Sequence, residues 1–177
     1  MRISILTTLI TSLGIITMTV LLYFVLQKEN KVIALVALSF WVTEAVLLAI
    51  STIGSNTLRP LSFEYVQAGS PSTSPLLTLG TLFLSFQEFT YTIHMLFFAL
   101  GGIMWYFLFY KSKKIPKFLS LWGLVLLSLM PIDIILALFG FGIDSILRMI
   151  ALVPLIPYLP FEGVMGLWLI IKGLNDN

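Results

Sequence analysis

The chain has 177 residues, 59% of them hydrophobic and 10% charged, with a mean hydropathy of +1.05 and a net charge of +2. Soluble domains carry roughly 25% charged residues, so this composition excludes an ordinary water-exposed surface, and basic residues divided among separate gaps exclude a nucleic-acid patch. No cysteine and a single histidine exclude disulfides, thiolate metal sites, a cysteine nucleophile and any site needing two imidazoles from one chain.

A membrane span needs about 20 apolar residues to cross a hydrocarbon core roughly 30 Å thick. Five segments qualify, at about 3–27, 32–54, 79–110, 118–141 and 146–171. Backbone groups in lipid have no water to bond, which leaves helices or a closed barrel. Continuous apolar runs without period-two alternation select helices. The fold class is therefore all-α, a single transmembrane bundle of five spans.

The first run, Ile3 to Leu26, follows Arg2 but exceeds the apolar stretch of about 7–15 residues in a signal peptide, and no small-x-small cleavage site follows it. It reads as a full span. After the second run, residues 55–74 form the one sizeable hydrophilic gap and read as a loop, with Leu61 to Val66 as an interfacial segment. The third run is too long for one upright span. From Pro75 to Tyr110 a helix would reach ~54 Å, so it either projects beyond the bilayer or bends near Gln87-Glu88. The fifth carries Pro154, Pro157 and Pro160, which delete backbone bonds and predict a kinked or broken helix.

All seven lysines fall between the runs or at the end: Lys28 and Lys31, then Lys111, Lys113, Lys114 and Lys117, then Lys172. Basic loops are retained on the cytoplasmic side. The 55–74 loop is then external, the amino terminus outside and the carboxyl terminus inside.

Several short stretches resemble one family. They are Tyr110-Lys111-Ser112 followed by Ile115-Pro116-Lys117, Ile132-Asp133, and Pro157, Glu162 and Trp168 to Gly173. Weaker similarity runs through Leu21 to Tyr23, Phe40 to Glu44 and Gln87 to Phe98. In these the chain resembles the prokaryotic membrane family called domain of unknown function 4386 (DUF4386). The resemblance implies a multi-pass protein of the prokaryotic plasma membrane. Members typically have six spans and the similarity begins at their second, so a helix ahead of Met1 is expected. Members often carry a basic residue where this chain has Trp41, which removes an ion pair to Glu44. The resemblance supplies fold and topology and no activity.

Charged side chains at a helix centre cost at least ~2.5–3.5 kcal/mol on insertion scales and usually face the bundle interior. The candidates are Glu44, Glu88, His94, Asp133 and Glu162, with Gln87, Tyr91 and Arg148 close by. Measured from the lysines, Glu162 lies ~15 Å up, Glu44 ~20 Å, Asp133 ~24 Å and His94 ~26 Å. Gln87, Tyr91 and His94 are spaced i, i+4, i+7 and share one helical face. Two roles compete. One is a cavity open to the outside that binds or relays a proton or small solute; the other is interhelical hydrogen bonding that fixes register, worth on average ~0.6 kcal/mol a bond. Arg148 reads as an interfacial anchor or a partner of Asp144 or Glu88.

Glu88 and His94 stand six apart, which does not fit the glutamate–x–x–histidine pairs of di-iron bundles. No G-x-S-x-G elbow is present. Gly101-Gly102, inside an apolar helix, reads as a close-packing site rather than a phosphate loop. Phe97, Phe98, Trp105, Tyr106 and Phe107 read as lipid-facing bulk and belt. No cofactor and no metal site is expected. Three functions remain: a small-solute or proton-linked binding or transport protein, a non-catalytic membrane subunit, and an intramembrane enzyme acting on lipid. Expected partners are membrane lipid, a small solute or protons, and a second copy or partner subunit.

Overall fold

A computed structural model describes residues 2–69, 75–139 and 145–174. Five helices follow one another: α1 (Arg2–Leu26), α2 (Lys31–Gln67), α3 (Pro75–Ser112), α4 (Lys117–Leu138) and α5 (Ser145–Lys172). No strand occurs among the described residues. Within them, α1 to α4 are long and apolar enough to cross a membrane.

The local reason for helix is strongest in α1. The hydroxyls of Thr7, Thr8, Thr11, Ser12 and Thr17 each donate to the carbonyl four residues back, at 2.9–3.0 Å. A hydroxyl in lipid finds no water, so bonding its own helix removes the cost of exposure. At the turn that follows, the Asn30 side chain accepts from the Ile33 amide at 3.0 Å and caps α2.

The expected loop over 55–74 is corrected by α2, which stays helical through Gln67. Leu58, Leu61 and Tyr65 face Leu76, Leu77, Gly80 and Leu84 of α3 across a shallow apolar groove. That stripe supports the helix past Pro60; residues 70–74 lie outside the described residues. α3 runs unbroken through Gln87-Glu88, so it extends alongside α2 rather than ending at the bilayer. Of the kinked or broken helix expected from the three prolines, the break is corrected, since α5 is one element from Ser145 to Lys172. The end of the span expected to reach 141 lies outside the described residues.

α2 and α3 form the spine, with α1 packed on α2, α4 on α3 and α5 on α4. Small residues draw the spine together: Ala34, Ala37, Ala45 and Ala99 are fully buried, and Gly101 sits directly beneath the Trp41 indole. Without a hydrophobic force between helices in lipid, such close approach supplies the attraction. Its neighbour Gly102 faces the other way, toward Leu127 of α4.

Large rings do the opposite on α5. Phe98 meets Tyr158 at 5.6 Å and Tyr106 meets Phe161 at 5.6 Å between ring centres. Among the described residues α5 makes no close backbone approach to α1, α2 or α3. The rings act as spacers, and room is left beneath α5. This corrects the lipid-facing reading of the aromatic cluster: Trp105 and Tyr106 are buried in the core, Phe98 packs against it, and Phe107 points outward.

Alternating helix directions bring every lysine to one end of the bundle. Lys111 Nζ donates to the Glu29 carbonyl at 3.1 Å, tying the α1–α2 turn to the end of α3. The Trp168 to Gly173 stretch closes α5 there: Gly173 takes φ +70°, a left-handed cap that L side chains resist, and its amide bonds the Leu169 carbonyl.

Candidate functional site

Trp41, Glu44, Leu48 and Ser51 recur at spacings of three and four on α2, so they share one face. Gln87, Tyr91, His94 and Phe98 do the same on α3. The two stripes meet. His94 Nδ1 lies 3.4 Å from Glu44 Oε1, and the residues are 6% and 1% exposed. The pair is close but not aligned as a hydrogen bond: His94 Nδ1 has no such partner, nor has Glu44 Oε2. Buried polar atoms are ordinarily satisfied, so two orphans at one point are unusual. The depths expected for Glu44 and His94 differed by ~6 Å. Contact removes the difference, bringing the two side chains to one level.

Around the pair is a cavity of ≈ 390 Å³, bounded by α1, α2, α3 and α5. Thr11, Ile15 and Met18 contribute one wall, Trp41, Glu44 and Leu48 a second, Tyr91 to Phe98 a third, and Tyr158 with Glu162 the fourth. Glu162 is exposed at the side of the cavity and close enough for its charge to act on Glu44. The Tyr158 hydroxyl stands between Glu162 and Tyr106 within hydrogen-bonding reach of both. The Trp41 indole donates to the Phe98 carbonyl at 3.0 Å, fixing one wall.

A second cavity of ≈ 430 Å³ lies farther from the lysine end, lined by Ser4, Thr8, Ser51, Thr52 and Gln87 among others. Leu48 and Tyr91 line both cavities and form the partition between them. The Tyr91 ring tilts against His94 at 5.1 Å. The face expected at Gln87, Tyr91 and His94 thus descends from the outer cavity into the inner one.

The other expected residues stand apart. Glu88 is exposed on α3, and Asp133 is half-buried on α4 and lines neither cavity. Arg148 falls on α5, but its side chain lies outside the described residues, as does Asp144. Trp41 and Tyr158 stand in the wall without having been among the expected site. Their signal was spacing, since Trp41 precedes Glu44 by three and Tyr158 precedes Glu162 by four. Among the described residues no three His, Asp or Glu side chains gather as a metal ion requires.

Comparison with known proteins adds the family. Neither the curated proteins nor the solved structures contain a match to this chain. A family model described as Domain of unknown function (DUF4386) matches residues 1–173, and the chain belongs to that family.

Proposed function

We propose that this protein is a five-span protein of the prokaryotic plasma membrane that binds a small solute or proton in the inner cavity and passes it to or from the outer one. In this reading the lysine end is cytoplasmic, the amino terminus outside and the carboxyl terminus inside. The observation that carries it is the buried Glu44–His94 pair, which holds two unpartnered atoms and lines a cavity separated from a second, hydroxyl-lined cavity by Leu48 and Tyr91.

A residue kept only for register is expected to satisfy its bonds. Glu44 does not, although a charge at such depth costs at least ~2.5–3.5 kcal/mol on insertion scales. A ligand or proton that completes it is the simplest return for that cost. Entry from outside passes Ser4, Thr8, Ser51, Thr52 and Gln87, then the Tyr91 ring, and reaches Glu44 and His94. Glu162 and Tyr158 offer the next acceptor and donor. Toward the lysine end Trp105, Leu108 and Phe109 close the path with a packed apolar core. Release on that side needs α5 to move, and its ring contacts to α3 are weaker tethers than the tight α2–α3 seam.

The test is proton-coupled flux in reconstituted vesicles. Glu162→Gln is expected to abolish it while the protein stays folded; wild-type flux in that variant removes the reading. A second reading is favoured by one feature, the separation of α1 from α5 beside Glu162. A lipid entering sideways there would meet two carboxyls, as an intramembrane lipid enzyme requires. Turnover of vesicle lipid that depends on Glu44 and Glu162, without flux, would select it.

A further inference from the structure

We infer that the inner cavity is built for an organic cation, a compact ammonium-type group carrying apolar substituents. This deepens the proposal above and rests on it. The walls present four aromatic rings, Trp41, Tyr91, Phe98 and Tyr158, drawn from α2, α3 and α5. Trp41 and Phe98 lie nearly parallel, 6° apart in plane and 6.1 Å between centres, while Tyr158 meets Phe98 edge-on at 84°. Aromatic rings held against one another beside carboxyls are the kind of lining that attracts quaternary ammonium groups.

Charge points the same way. Two carboxyls, Glu44 and Glu162, line the space, and among the described residues no lysine or arginine does. Glu44 lines the cavity and its buried Oε2 lacks a partner, which a positive group bound beside it would supply. Among the described residues an anion would meet two carboxyls with His94 alone to offset them. A neutral apolar solute would leave the buried Glu44 oxygen unpartnered. A bare divalent ion is disfavoured because, among the described residues, no cluster of three ligating side chains exists and most of the wall is hydrocarbon. The volume of ≈ 390 Å³ falls in the lower part of the range for small-molecule sites, about 300–1,000 Å³.

The experiment is titration calorimetry on the purified full chain in nanodiscs with three matched probes: benzyltrimethylammonium, its neutral isostere neopentylbenzene, and benzenesulfonate. The cation is expected to bind saturably, at least tenfold tighter than the neutral isostere, with no binding of the anion. Glu44→Gln and Glu162→Gln each lower cation affinity at least tenfold, Trp41→Leu lowers it several-fold, and Asp133→Asn leaves it within twofold. Equal affinity for the neutral isostere overturns the inference. So does cation binding unchanged in both glutamine variants, or no saturable binding by wild-type protein whose thermal transition shows it folded. In any of those outcomes, flux still lost in Glu162→Gln means that the cation assignment alone has failed. Loss of both observations means that the cavity reading has failed with it.

Discussion

Glu44 has one carboxyl oxygen 3.4 Å from His94 and another with no partner, in a residue 1% exposed. Removing its charge should therefore separate stability from function. Gln keeps the shape of Glu44 and carries no charge to desolvate, and no hydrogen bond to His94 is lost with it, so Glu44→Gln is expected to leave stability within about 1 kcal/mol, or about 2–4 °C in Tm for a chain of this size. Flux through the same variant is expected to fall at least tenfold. Thermal denaturation in detergent beside the vesicle assay checks both; a large drop in Tm would mean that Glu44 holds the fold. The two adjacent glycines give a contrast at similar burial. A methyl on Gly101 runs into the Trp41 indole, which is held by its 3.0 Å bond to Phe98, whereas one on Gly102 meets the movable end of Leu127. Gly101→Ala is expected to cost about 1–3 kcal/mol and to disturb the cavity wall, and Gly102→Ala to cost under half of that. Equal melting shifts for the pair would contradict the close packing of α2 on α3.

Helices α2 and α3 are the elements that most exceed a bilayer. At 37 and 38 residues they reach about 55 Å, against a hydrocarbon core of roughly 30 Å. Ser55, Asn56, Pro60 and Ser62 look like loop chemistry, which is why a helix through Gln67 was not legible there. Pro60 deprives the Asn56 carbonyl of its usual amide, and this far from the lysine end water can replace it. What sustains the helix is the apolar stripe against α3, a tertiary contact invisible to a one-dimensional reading. Disulfide trapping tests it. A side chain at Gly54 would start 3.2 Å from Gln87 Cβ, near the Cβ separation of about 3.5–4.5 Å in disulfides. Gly54→Cys with Gln87→Cys is expected to cross-link within one chain under mild oxidation, seen as a mobility shift reversed by reductant. Failure of that pair to link would contradict the α2–α3 register from which the outer apolar stripe extends.

The molecule as a whole is polar at one end and layered from tight to loose across its width. Seven lysines gather where α1, α3 and α5 end and where α2 and α4 begin. The absence of cysteine makes this easy to test in cells. Glu64→Cys, on the outer reach of α2, is expected to react with an impermeant maleimide in intact cells, and Lys114→Cys only after permeabilisation. The reverse pattern would invert the proposed topology and the side from which the cavities open. Across the bundle, alanine and glycine make the α2–α3 seam close, while aromatic spacers hold α5 away. The space for a ligand comes from that difference.

Hydropathy, the helix ends on the lysine side, the common side of the lysines and the Gln87–Tyr91–His94 face could all be read from the chain, because each depends on neighbours within a few turns and on the insolubility of bare backbone in lipid. The pairing of His94 with Glu44, the exclusion of Asp133, and the enlistment of Trp41 and Tyr158 could not. Those depend on how far one helix slides along another and on the distance at which α5 stands. Both are set by side-chain volumes meeting across helices, a property of the packed bundle that no single stretch of sequence contains.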